Sequence, residues 1–130
     1  MLSSDPRRLP IHDQLDAILD ALSKGCDVLL SAPPGAGKST MVPSAIVDQS
    51  WCKGKVLISQ PRRLAAQALA CRVASLHQCK VGREVGYSVR FDRQTSSRTR
   101  LEFLTAGLLL RRLQNDPFLD GVDCVILDEF

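Results

Sequence analysis

One stretch constrains this chain more than the rest: Ala32-Pro33-Pro34-Gly35-Ala36-Gly37-Lys38-Ser39-Thr40, directly after the apolar run Val28-Leu29-Leu30. The spacing predicts a strand over 28–31, a loop, and a helix over 39–48. A loop so placed wraps phosphates, because the helix that follows aims its free N–H groups and the positive end of its dipole at negative charge. Gly35 and Gly37 allow positive φ and close approach of the backbone. Lys38 reaches β and γ oxygens as a point charge. Ser39 supplies a hydroxyl for Mg²⁺, and Thr40 reaches the α-phosphate region. Ala32 stands where the usual pattern has glycine, at a position that opens the loop rather than cradling phosphate. A glycine-proline turn that merely carries a lysine is the plainer alternative.

The rest of the chain alternates in the same way. Residues 1–10 are polar and contain proline, a lead-in to one domain over 11–130. Ile11, Leu15, Ile18, Leu19 and Leu22 recur at helical spacing, and Lys24-Gly25 ends that helix. Short apolar strands are expected over 55–59, 85–91, 101–104 and 122–127, with helices over 62–78 and 106–113 and a polar turn over 92–99. This is the signature of an α/β fold, a mostly parallel sheet with helices on both faces. Ligands of such sheets bind beyond the carboxyl ends of the strands, where every candidate motif of this chain falls.

Composition excludes some classes. At 130 residues, 45% hydrophobic and 24% charged, the chain reads as globular rather than disordered. No apolar stretch is long enough to span a bilayer, and Asp5, Pro6, Arg7 and Arg8 come where a signal peptide needs an apolar core. A cytoplasmic protein without membrane contact is expected. The five cysteines lack the spacing of a zinc or redox pair and are expected to be reduced and mostly buried. With His12 and His77 also isolated, no structural metal is expected. The net charge of +3 decides nothing about nucleic acid, and the local arginine clusters fit solvated faces equally well.

Further elements carry chemistry. Asp128-Glu129 closes the apolar run Val125-Ile126-Leu127 in the form of a Walker B site. An acid at that strand tip holds Mg²⁺, normally through water, and the adjacent glutamate polarises an attacking water as general base. A solvated acidic turn is the alternative. Pro61-Arg62-Arg63 follows the second strand, where proline leaves nearby N–H groups free and two arginines suit a nucleic-acid backbone or simply an exposed helix start. Thr105-Ala106-Gly107 follows the third. Thr105 caps the next helix or donates to a phosphate.

Taken in order, the phosphate loop, Gln60-Pro61-Arg62-Arg63-Leu64-Ala65-Ala66, Val85-Gly86-Tyr87-Ser88-Val89-Arg90-Phe91, Thr105-Ala106-Gly107-Leu108 and Leu127-Asp128-Glu129-Phe130 resemble the start of a DEAH-box (DEAH/RHA) superfamily 2 helicase. The resemblance runs from Ile11 to Phe130. It implies a RecA-like P-loop NTPase fold that binds ATP and Mg²⁺ and grips single-stranded RNA or DNA by its backbone. Gly35, Ala36, Gly37, Lys38, Ser39 and Thr40 would form motif I, and Asp128 and Glu129 would begin motif II. Arg62 and Arg63 match motif Ia, and Thr105 and Gly107 match motif Ib. Arg72 matches an arginine that stacks on adenine, and it fits an exposed helix residue equally well. Ala106 stands where the family usually has an acid. The family pattern continues past Phe130 with histidine, motif III and a second RecA-like domain, so a C-terminally truncated first domain is implied.

Such a segment lacks the arginines that the second domain brings to ATP, whose loss costs on the order of 10³ or more in rate. Poor hydrolysis, no unwinding and an exposed apolar strand over 122–127 prone to aggregation are expected. A small-molecule P-loop kinase and a non-catalytic nucleic-acid-binding remnant are the competing readings.

Overall fold

The computed structural model describes residues 12–30 and 37–128. Helix α1 (His12–Ser23) is amphipathic, and its Leu15, Ile18, Leu19 and Leu22 pack into the main core. It ends in a Schellman turn: Gly25 has φ +80°, its N–H bonds Leu22 O, and Cys26 N bonds Ala21 O.

Residues 26–30 then run without strand pairing, contrary to the strand expected over 28–31. A segment becomes a strand only where a ladder partner satisfies its backbone. These residues instead line one wall of an open cavity of about 740 Å³ whose opposite wall is β5. Leu29 is accordingly 84% exposed.

Helix α2 (Lys38–Val47) leads to β1 (Lys55–Gln60), α3 (Arg63–Leu76), β2 (Val85–Val89), β3 (Asp92–Gln94), β4 (Leu101–Thr105), α4 (Ala106–Asn115) and β5 (Val122–Leu127). The five strands form one sheet in the order β3-β2-β4-β1-β5. All pairings are parallel except β2 with β3. Parallel strands bring the carboxyl ends of β2, β4, β1 and β5 to one edge of the sheet. The fold is thus mixed α/β, mostly parallel, as expected.

Side-chain alternation assigns the two faces. Val56, Ile58, Val85, Tyr87, Leu101, Phe103 and Ile126 turn toward α1, α2 and α3. Leu57 and Leu104 turn the other way, toward Leu109 of α4. Helices cover both faces unequally, for among the described residues α4 alone packs on the second. β5 is an outer strand, and its Val125 and Leu127 are 37% and 55% exposed.

The polar stretch expected to be only a turn contains β3. A short edge strand needs no apolar face of its own, and its charged residues discourage pairing with another chain. Tyr87 Oη donates to Asp92 Oδ2 at 2.7 Å and Gln67 Nε2 donates to the same oxygen at 3.1 Å, which ties the hairpin to α3. Gly86 is required here, since a Cβ would collide with the carbonyl oxygen of Gln94. The cysteines are less buried than expected. Cys52 is buried, whereas Cys26 and Cys71 are exposed.

Candidate nucleotide and nucleic-acid site

The helix of the phosphate loop starts at Gly37, which sits at φ 92°, a left-handed conformation that a side chain would strain. Lys38 and Ser39 follow in its first turn. On the facing strand, β5 ends at Leu127, and Asp128 N is held by Ser59 O at 3.1 Å. Asp128 is thereby brought to the phosphate loop across 89 residues: Ser39 Oγ donates to its Oδ2 at 2.6 Å, and Lys38 Nζ lies 3.8 Å from its Oδ1. The Asp128 side chain is 11% exposed, and the three residues line the near end of the large cavity. Gly35, Ala36 and Glu129 lie outside the described residues. Thr40 is buried and its hydroxyl turns back on Gly37 O at 3.2 Å.

A hydroxyl and a carboxylate at one open spot fit Mg²⁺, which keeps several waters and takes few protein ligands beside the phosphates. Among the described residues no group of three or more His, Cys, Asp or Glu is placed to hold an ion unaided.

The same sheet edge carries the arginine and threonine motifs. Arg62 and Arg63 open α3 and are exposed. Thr105 opens α4, with its Cα opposite Gln60 in the β1–β4 register. The side chain of Thr105 makes no capping bond, contrary to one of its two expected uses, so its hydroxyl stays available. Gly107 is exposed, and a Cβ there would meet nothing within 4 Å. Neither packing nor backbone angle asks for glycine at that position. Arg72 is exposed on α3 and does not line the cavity beside Lys38.

Three helices, α2, α3 and α4, therefore begin at this edge. Among the described residues none has a side-chain cap, and none has an acidic residue in its first turn. Helix starts normally recruit both. Their absence leaves first-turn N–H groups and three positive dipole ends to an external anion, with Thr40 N–H alone turned back on Gly37 O at 3.3 Å.

Helix α4 is anchored beneath this edge by a buried ion network. Glu102 of β4 is 0% exposed and accepts from Arg112 Nη2 and from Ser88 Oγ, the latter at 2.6 Å. Lys55 Nζ stands 3.6 Å from the other carboxylate oxygen, close enough to pair but too far to hydrogen-bond. Burial pushes the Glu102 carboxyl up, but the bonds from Arg112 and Ser88, with the charges of Arg112 and Lys55, outweigh it and hold the pKa below its ordinary value. Arg100, at the entrance to β4, donates to the carbonyls of Cys52 and Gly54 and fastens the loop before β1.

Sequence reasoning assigned no role to the tip of the β2–β3 hairpin. Phe91 there is 89% exposed at φ +68°, and the Arg90 guanidinium lies 4.9 Å from its ring centroid. An aromatic at the end of an alternating strand, directly after Arg90 and two residues before Arg93, was the available signal.

A family model described as DEAD/DEAH box helicase matches residues 11–130. The chain is 47% identical over 122 residues to the ATP-dependent RNA helicase HrpB of Escherichia coli (strain K12), an alignment that covers 94% of this chain and 15% of that protein. It is 40% identical to the probable ATP-dependent RNA helicase DHR2 of Saccharomyces cerevisiae, covering 93% and 17%. A crystal structure of the Escherichia coli DEAH/RHA helicase HrpB superposes with a TM-score of 0.89 at 47% identity, over 94% of this chain and 16% of that one. A crystal structure of the E. coli DExH-box NTPase HrpB reaches 0.92 at 44% identity, over 98% and 16%. The chain thus spans about one sixth of the length of these relatives. No helix among the described residues is long and apolar enough to cross a membrane.

Proposed function

The chain belongs to the DEAD/DEAH box helicase family, and from that premise we propose that residues 11–130 are part of a first RecA-like domain that binds ATP·Mg²⁺ and grips one strand of RNA by its backbone. The observation that carries this reading is the row of three uncapped helix starts beside the Lys38–Ser39–Asp128 cluster. Phosphate is the anion that both halves of such an edge accept.

In this reading the loop Gly35, Ala36, Gly37, Lys38, Ser39 and Thr40 holds the triphosphate. Ser39 and Asp128 hold Mg²⁺, which neutralises charge on the phosphates when bound. Glu129 orients the attacking water, and Arg72 stacks on the adenine. Arg62, Arg63, Thr105 and Gly107 contact the nucleic-acid backbone, and Phe91 offers a stacking face to a base. RNA is preferred over DNA because the similar helicases are named for RNA. Hydrolysis and strand separation belong to a longer protein, in which a second domain supplies arginines and closes over ATP.

The purified chain is therefore expected to bind a fluorescent ATP analogue and a labelled single-stranded RNA, to hydrolyse ATP slowly, and to separate no duplex. Robust strand displacement would refute the need for a second domain. Phosphoryl transfer to a small molecule, indifferent to RNA, would favour the kinase reading.

Gly107 gives a sharper test. With space around it and a helical backbone, Gly107→Ala is expected to stabilise the fold by about 0.5–1 kcal/mol through helix propensity alone. If a strand lies against α4 there, the same methyl weakens RNA binding. A chain that melts higher yet binds RNA less tightly supports the interface. Unchanged RNA affinity with raised stability counts against it.

A further inference from the structure

Gln60 is the last residue of β1 and is 3% exposed, unusual burial for an amide at the open edge of a sheet. Its Nε2 donates at 2.8 Å to Asp128 Oδ2, the oxygen that also accepts from Ser39 Oγ at 2.6 Å. Its Cα is opposite Thr105 in the β1–β4 register, and Pro61-Arg62-Arg63 leave the sheet at the next residue. One side chain thus touches the acid of the nucleotide end while its own backbone anchors the start of the basic loop and abuts the start of α4.

We propose that Gln60 is a positioning residue that couples nucleotide·Mg²⁺ at Asp128 to the hold of Arg62, Arg63 and Thr105 on a single strand. The inference rests on the proposed function and adds to it the residue that links its two halves. The lone pairs of Asp128 Oδ2 already serve two donors. A divalent cation drawn to the Ser39 hydroxyl and the Asp128 carboxylate competes for them. Where Gln60 follows the carboxylate, it draws the carboxyl end of β1, and with it the start of the Pro61-Arg62-Arg63 loop, against Thr105. Linkage makes the effect reciprocal: a strand that fixes the end of β1 fixes the Asp128 carboxylate, and each ligand changes the other's affinity by the same factor.

The test measures that factor. A labelled single-stranded oligouridylate is titrated into the chain with and without a non-hydrolysable ATP analogue plus Mg²⁺, and the ratio of the two dissociation constants is the coupling. In the wild-type chain the ratio is expected to reach about fivefold or more, the range typical of linked sites. Gln60→Leu keeps the bulk and removes the donor, and the ratio is expected to fall below about twofold. Gln60→Met keeps the length of the side chain, also removes the donor without adding charge, and decides the matter should the leucine chain fail to fold, as judged by circular dichroism. A folded variant that retains the wild-type ratio overturns the proposal. So does a wild-type chain that binds both ligands independently. A wild-type chain that binds no oligonucleotide under either condition brings down the nucleic-acid reading itself, and the coupling with it.

Discussion

The Lys38→Ala chain is expected to bind an ATP analogue about 100-fold or more weakly than the wild type, since a charge-assisted hydrogen bond is worth roughly 1.5–3 kcal/mol and the ammonium makes more than one to a triphosphate. The fold should survive. Lys38 opens α2 at the surface end of the cavity, its side chain is 35% exposed, and Asp128 keeps its bonds from Ser39 and Gln60 when the lysine is gone. Lys38→Arg separates charge from shape. A guanidinium retains the positive charge but brings a planar fork to a loop shaped for a point charge, so an intermediate affinity is expected. Fluorescence titration with thermal melting of each variant checks both effects. Undiminished nucleotide affinity in a folded Lys38→Ala chain would mean that the cluster around Asp128 serves some other end.

What could be read from the residues alone was set by the kind of signal each element carries. β1 and β4 were legible because strands buried on both faces of a parallel sheet write themselves as short apolar runs, and β5, half-buried at the edge, carries a similar run. The juxtaposition of Lys38 with Asp128 was legible from the pairing of a phosphate loop with an acidic strand end, although only Asp128 follows a strand of the sheet. The run Val28-Leu29-Leu30 carries the same signal and forms no strand, for a ladder partner is a tertiary fact that local composition cannot report. β3 failed in the opposite sense. Asp92, Arg93 and Gln94 have no strand propensity worth noting, and pairing with β2 imposes the conformation. Gln60 was quoted only as part of a motif, and its bond to Asp128 depends on the register of two strands far apart in sequence. Glu102 was invisible as a buried charge: a glutamate inside the apolar run Leu101-Glu102-Phe103-Leu104 says that something pairs with it, but not that Arg112 on the next helix does.

That buried pair sets the largest stability effect. Arg112→Met keeps most of the aliphatic stem of Arg112 and removes the guanidinium, leaving Glu102 at 0% exposure with the bond from Ser88 Oγ and the Lys55 ammonium 3.6 Å away, too far to hydrogen-bond. Breaking a buried ion pair from one side typically costs about 3–5 kcal/mol, because the remaining charge stays desolvated. The sign of the pH dependence separates this cause from lost packing. In the wild-type chain the folded Glu102 pKa lies below its ordinary value, so its stabilisation is present above that ordinary value and is lost as pH falls through the folded one. Without Arg112 two of the contributions that lower it are gone while burial, Ser88 and Lys55 remain, so the folded pKa rises from its wild-type position and less of that stabilisation is left at neutral pH. The deficit of the variant is therefore expected to be greatest near neutral pH and to shrink as the solution is acidified toward the ordinary carboxyl range. Adding Glu102→Gln should recover much of the loss, since a neutral amide asks for no counter-charge. Urea unfolding at pH 7.5 and pH 5 of the three chains measures all of this. A single variant within about 1 kcal/mol of wild type, against the 3–5 kcal/mol typical of a broken buried pair, would show that Lys55 and Ser88 suffice to hold Glu102. A deficit independent of pH would assign the loss to packing of α4 instead.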